Sequence, residues 1–235
     1  MMASYFDQFN LISILSTYFT NSSLVMMTTV LVCWVLFKNH RLIPYRWQSL
    51  IEIVYDHFVG VVKDSLGTKG YRFLPFVFSL FLFIAWLNVL GLFPYIFTAT
   101  VHIVVTFGLS FTIVICVTIL GFVNFRSRFL SMLMPSGAPL LLAPLLVLIE
   151  TVSYVARAIS LGVRLAANLS AGHLLFAILA SFGFQMVMNQ MYLLSLFPIL
   201  IMIFITMLEM AVALIQAYVF CLLTTIYLGD TLALH

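Results

Sequence analysis

The apolar positions of this chain fall into long runs rather than the short periodic stripes of a soluble fold. A helix crosses about 30 Å of hydrocarbon with roughly 20 apolar residues, and runs of that size occupy 15–37, 73–97 and 101–125. Two longer runs follow at 140–185 and 191–228. At about 1.5 Å rise per residue each exceeds the bilayer thickness, so each either breaks or lies strongly tilted. Neither holds a central glycine or proline pair that forces a break. The pattern therefore predicts two long tilted helices joined by a turn near Met188-Asn189-Gln190. Residues 44–72 read differently. Trp47, Leu50, Ile51, Val54, Phe58, Val61, Val62 and Leu66 recur at helical spacing, with Arg46, Glu52, Asp56, Lys63 and Asp64 opposite. That is the pattern of an amphipathic helix lying on a membrane surface. No internal repeat interrupts the chain, and 1–235 reads as a single membrane domain.

Composition sets the class. Of 235 residues 64% are hydrophobic and 7% charged, with 10 Lys+Arg against 7 Asp+Glu, and the mean hydropathy is +1.21. A soluble domain carries roughly 25% charged residues, so a soluble enzyme and a disordered tail are excluded. Nucleic-acid binding is excluded too, because ten scattered basic residues make no phosphate-neutralising patch. Cys33, Cys116 and Cys221 lie far apart in apolar runs with no CxxC or Cys/His cluster, and are read as small buried hydrophobes. The N-terminal MMASYFDQFN lacks the basic region of a cleavable signal, so insertion is expected to use the internal segments.

Six basic residues (Lys38, Arg41, Arg46, Lys63, Lys69 and Arg72) lie between the first and second spans, and Arg126 and Arg128 follow the third. The opposite loops, 1–14, 98–100 and 186–190, carry none. The positive-inside rule places the N-terminus outside and His235 inside. The expected fold is an all-α integral membrane protein. It has about five membrane helices, including a long tilted C-terminal hairpin, and one amphipathic inner-surface helix.

Ionisable groups inside spans cost about 2.5–3.5 kcal/mol each by insertion scales, which makes Glu150, Arg157, Arg164, His173 and Glu209 the informative residues. Glu150 and Arg157 stand two helical turns apart and admit an internal ion pair; Asp230, at the inner end of the last helix, admits a solvated terminal charge. His102, near an outer loop, is read as interfacial and receives no role. Arg164 has no acidic residue near it in sequence, and a guanidinium does not shed its proton. It shares a helical face with Arg157, Ser160, Asn168 and Ala171. Ala158, Gly162, Ala166 and Ser170 form a small-residue face suited to close helix packing. In the last helix Glu209, Gln216, Leu223 and Asp230 recur every seven residues. Antiparallel packing would set His173 and Glu209 at similar depth on the outer side, Glu150 and Asp230 on the inner side, and Arg164 near Gln216.

The run SLGVRLAANLSAGHLL, followed by MLEMAVALIQAYVFCLLTTIYL, resembles subunit a of the F-type ATP synthase, and LNVLGLFPY at 87–95 fits the same family. The resemblance implies a stator that carries protons to and from a rotating ring of c subunits. It has no catalytic site, cofactor or metal of its own, and its translocated ion is H+. Arg164 matches the family's essential arginine and Gln216 its last-helix partner. His173 with Glu209 matches the mitochondrial arrangement of an acid/histidine pair. By the same resemblance Asn88, Asn168, His173 and Glu209 belong to an outer half-channel, and Glu150 with Asp230 to an inner one. Implied partners are the c ring, the other membrane and peripheral-stalk subunits and the lipid bilayer. The implied location is the mitochondrial inner membrane, with the bacterial plasma membrane as the alternative. Two other classes were weighed. A stand-alone transporter or channel calls for inverted repeats or broken helices. A haem- or quinone-binding respiratory subunit calls for paired axial histidines, whereas His40, His57, His102, His173 and His235 are scattered.

Overall fold

The computed structural model describes residues 9–16, 19–38, 46–93, 96–126 and 143–232. Arg41, Arg128, His40 and His235, together with Pro94 and Tyr95 of the 87–95 motif, lie outside the described residues. The elements in order are β1 (Ser13–Ser16), β2 (Phe19–Thr20), α1 (Asn21–Lys38), α2 (Arg46–Leu66), α3 (Leu74–Gly91), α4 (Ile103–Phe125), α5 (Ala143–Met188) and α6 (Tyr192–Leu232), with 3-10 turns at Gly67–Phe73 and Ala99–Val101. Among the described residues four helices are long and apolar enough to cross a membrane, and Asn21–Val35 is a shorter apolar helix.

The expected first span, 15–37, starts too early. There β1 and β2 form an antiparallel pair that sets Ser13 against Thr20 and Ser16 against Phe19. The helix begins only where Thr20 N–H donates to Ser23 Oγ at 3.1 Å and Ser23 Oγ donates back to Thr20 O at 2.8 Å. The Ser23 side chain thus reaches back to the backbone N–H of the residue before the helix, one half of a capping box. The amphipathic helix expected over 44–72 also ends early. Gly67 adopts φ +64°, a left-handed conformation that glycine enters without steric cost and that stops a helix.

Both long helices are unbroken, of 46 and 41 residues. The turn between them closes as sequence spacing suggests. Gln190 takes φ +61°, with Met191 N–H donating to Met186 O at 3.1 Å and Gln190 N–H to Val187 O at 3.0 Å. These paired bonds satisfy the last carbonyls of α5. The small-residue face of α5 is buried at Ala158, Gly162 and Ala166, whereas Ser160, Arg164, Asn168 and Ala171 form an exposed stripe. Only 11% of the most apolar window of α6 is buried, against 44% for the helix ending at Gly91. An apolar helix left this bare needs lipid or another protein around it.

The chain divides into two compact units. One comprises Met1–Phe37, Leu82–Thr106 and Arg164–Tyr218; the other comprises Lys38–Phe81, Phe107–Val163 and Val219–His235. In the first, Val25, Leu87 and Ala99 pack with Met26, Phe83 and Phe97. In the second, Phe58 of α2 is 1% exposed and packs against α3, tilted on Phe81 and edge-on to Phe78, with ring centroids 4.7 and 6.1 Å apart. The apolar face of α2 is thus partly covered by protein. In the same unit Ser110 Oγ of α4 donates to Ala158 O of α5 at 2.5 Å.

Candidate functional site

The first unit collects most of the polar residues singled out from the sequence. Its centre is a cavity of about 320 Å³ between α5 and α6, lined by Asn168, Ala171 and Gly172 from one helix and Glu209, Val212 and Ala213 from the other. α5 reaches this point with a run of small residues, and Gly172 is the one that matters. A Cβ there would overlap the Glu209 carboxyl group, so the carboxyl lies directly over the glycine backbone. Asn88 of α3 is fully buried and donates from Nδ2 to Ala213 O at 3.2 Å, tying α3 to the same wall. One turn beyond Asn168 comes Arg164 on the exposed stripe. One turn beyond Val212 comes Gln216, 7% exposed.

His173, half-buried, does not bond to Glu209. Its Nε2 lies 3.2 Å from Thr98 Oγ1, and the edge of Phe9 meets the ring at 6.3 Å between centroids. The two titratable groups occupy one level of the hairpin but point to different neighbours. The sequence predicts their depth; it does not predict this separation.

Among the described residues five buried side-chain polar atoms lack a hydrogen-bond partner: Asn88 Oδ1, Thr100 Oγ1, His102 Nε2, Glu209 Oε1 and Gln216 Nε2. All five belong to the first unit. Buried polar atoms are ordinarily paired, and each unpaired one costs about 1–3 kcal/mol.

The second unit holds Glu150, Tyr154, Arg157, Tyr227 and Asp230. Arg157 Nη2 lies 3.5 Å from Glu150 Oε1 and 3.4 Å from Ser153 Oγ, with its guanidinium carbon 5.9 Å from the Tyr227 ring centroid. Tyr154 donates to Val114 O at 3.4 Å. Of the two readings of Glu150 and Arg157 the ion pair is therefore realised. No hydrogen bond or ion pair joins Glu150 to Asp230 among the described residues. No cluster of three or more His, Cys, Asp or Glu suited to a metal occurs among them either.

The profile of the ATP synthase A chain family matches residues 19–229. ATP synthase subunit a of Metridium senile is 64% identical over 235 residues, covering 100% of both chains. That of Marchantia polymorpha is 41% identical over 252 aligned positions, again covering 100% of both. The chain belongs to the ATP synthase A chain family. Membership agrees with the resemblance carried by the Arg164 and Gln216 motifs. It also frames the residues that sequence reasoning missed in this A chain. Gly172 carried one signal, its place beside His173 at the level of Glu209. Thr98 and Thr100 carried none beyond polarity in an apolar loop. His102, given no role, stacks on Phe97 at 5.2 Å and buries an unpartnered nitrogen.

Proposed function

We propose that this chain is the proton-conducting stator of a mitochondrial inner-membrane ATP synthase, with its N-terminus outside and its C-terminus on the matrix side. It forms two offset half-channels serving the carboxylates of a c-subunit ring. The observation that carries the reading is the buried, unpartnered Glu209 Oε1 on the wall of the α5–α6 cavity, with a second unpartnered atom, Asn88 Oδ1, on a side chain bonded to the lining residue Ala213. Lipid satisfies no polar group, whereas water both donates and accepts. A volume of about 320 Å³ has room for several waters at about 30 Å³ each. A hydrated path past His173, Asn168 and Glu209 would deliver protons from outside.

A proton arriving there neutralises a ring carboxylate, which then turns into lipid without the penalty of a bare charge. After most of a revolution the carboxyl meets the fixed positive charge of Arg164, which favours its ionised form, and the proton leaves through an inner path near Glu150 and Asp230. The same charge repels protons from crossing directly between the half-channels. Each elementary charge moved yields about 2.3 kcal/mol per 100 mV. The exposed position of Arg164 is where a stator residue would meet a ring.

The test replaces Arg164 in the assembled complex. Arg164→Lys should abolish ATP-driven proton pumping, because a compact ammonium does not reproduce the planar multi-donor guanidinium. Arg164→Ala should instead leave vesicles passively proton-leaky. Normal pumping by the lysine variant removes the central role of Arg164. Proton-tight vesicles with alanine show that packing, not charge, separates the two paths.

A further inference from the structure

The loop between α3 and α4 returns one residue to the end of α3. Thr98 is 6% exposed and its methyl lies over Gly91, where an added Cβ would meet Thr98 Cγ2 at 2.5 Å. Thr98 precedes the 3-10 turn Ala99–Val101, a place where threonine hydroxyls ordinarily cap the following N–H groups, yet this one makes no cap bond. It turns the other way, donating from Oγ1 to the Gly91 carbonyl at 3.3 Å while standing 3.2 Å from His173 Nε2.

A hydroxyl has one proton to donate and lone pairs to accept with. The Gly91 carbonyl only accepts, so the Thr98 proton is committed to it. Toward His173 the same oxygen then stands as an acceptor, the role that pairs with a tautomer protonated at Nε2, and the Gly91 backbone, which also bonds this ring, offers it a second acceptor. We propose that Thr98 is a positioning residue that holds His173 with Nε2 protonated, leaving Nδ1 as the single atom that takes up and releases the transported proton. This rests on the proton-channel reading above and adds to it a named atom and a named support.

The step balances simply. An incoming proton forms an N–H bond at Nδ1 and gives an imidazolium whose Nε2–H stays on Thr98. That Nδ1–H bond then breaks as the proton passes to water and on to a carboxylate oxygen. The Nε2 proton takes no part, because beyond Thr98 its chain of bonds ends at a peptide carbonyl. His173 is a binding post rather than a two-sided relay.

The experiment separates hydroxyl from methyl in the intact ATP synthase. Thr98→Val keeps the branched shape over Gly91 and removes the hydroxyl; Thr98→Ser does the reverse. ATP-driven proton pumping per assembled complex should fall about tenfold in the valine variant, the lower end of the loss when a metal-bound histidine is deprived of its hydrogen-bonding partner, and stay within about twofold in the serine variant. In a His173→Ala background, Thr98→Val should cause no further loss. Normal pumping by Thr98→Val overturns the proposal, as does equal impairment by Thr98→Ser, or a full additional loss when His173 is already absent. If His173→Ala itself pumps normally, the channel reading fails first. If His173→Ala is impaired while Thr98→Val is normal, only the assignment to Thr98 is lost.

Discussion

Replacing Gly172 with alanine puts a methyl group where the Glu209 carboxyl now sits. The added Cβ would fall 2.7 Å from Glu209 Cδ and 3.2 Å from Cγ, and closer still to Oε1. Carbon atoms in contact rest about 3.5–4.0 Å apart, so the carboxyl carbon must retreat by roughly 0.8 Å or more. The fold has little to lose. Alanine in a helix interior is favoured over glycine by about 0.8–1.0 kcal/mol, which offsets much of a local overpacking cost of about 1–3 kcal/mol. The obstructed group is also the far end of a flexible side chain. Function is the sensitive quantity, because a displacement of about 1 Å in a positioned group costs up to about 100-fold in rate. Gly172→Ala should therefore assemble at wild-type level yet pump protons about 10- to 100-fold more slowly. Glu209→Asp, which shortens the side chain by one methylene, should recover part of the loss in the double variant. The assay is ATP-driven acidification of vesicles, normalised to assembled complex. Pumping within twofold of wild type in Gly172→Ala would show that the carboxyl works equally well elsewhere and that the glycine notch has no role.

His173 and Glu209 should act as a coupled pair through the medium between them. The exchange His173→Glu with Glu209→His should recover more pumping than either single change, and strictly additive losses would refute the coupling. Asn88→Leu should leave the complex assembled, because Ala213 O keeps its place in the α6 ladder, but should slow pumping by removing the unpartnered Oδ1. Unchanged pumping would show that Asn88 serves packing alone.

The class of the protein, the long C-terminal hairpin and its turn, and the buried small-residue face of α5 are legible in the sequence because each depends on one helix at a time. Rise and rotation per residue are constants of the helix, so depth and facing follow from position. On that basis Arg164, Asn168 and Ala171 belong on one face, and all three are exposed along α5. The ends of the elements were less legible. The β1–β2 pair displaced the start of α1, and the left-handed Gly67 cut α2 short.

Which polar groups meet was decided only by the tertiary structure. The sequence by itself determined that His173 and Glu209 share a level, and that Glu150 could reach either Arg157 or Asp230. Packing directed His173 to Thr98 and set Glu209 over Gly172, whereas the Glu150–Arg157 pair lies within α5 and follows from helical spacing. The physical reason is rotation. A contact between two helices depends on how each is turned about its axis when small residues let them close, and one residue of turn, about 100°, exchanges every neighbour while leaving depth almost unchanged. A loop residue such as Thr98 adds a further freedom. Its place is set by where the chain returns after α3 ends, and no periodicity along the sequence records that.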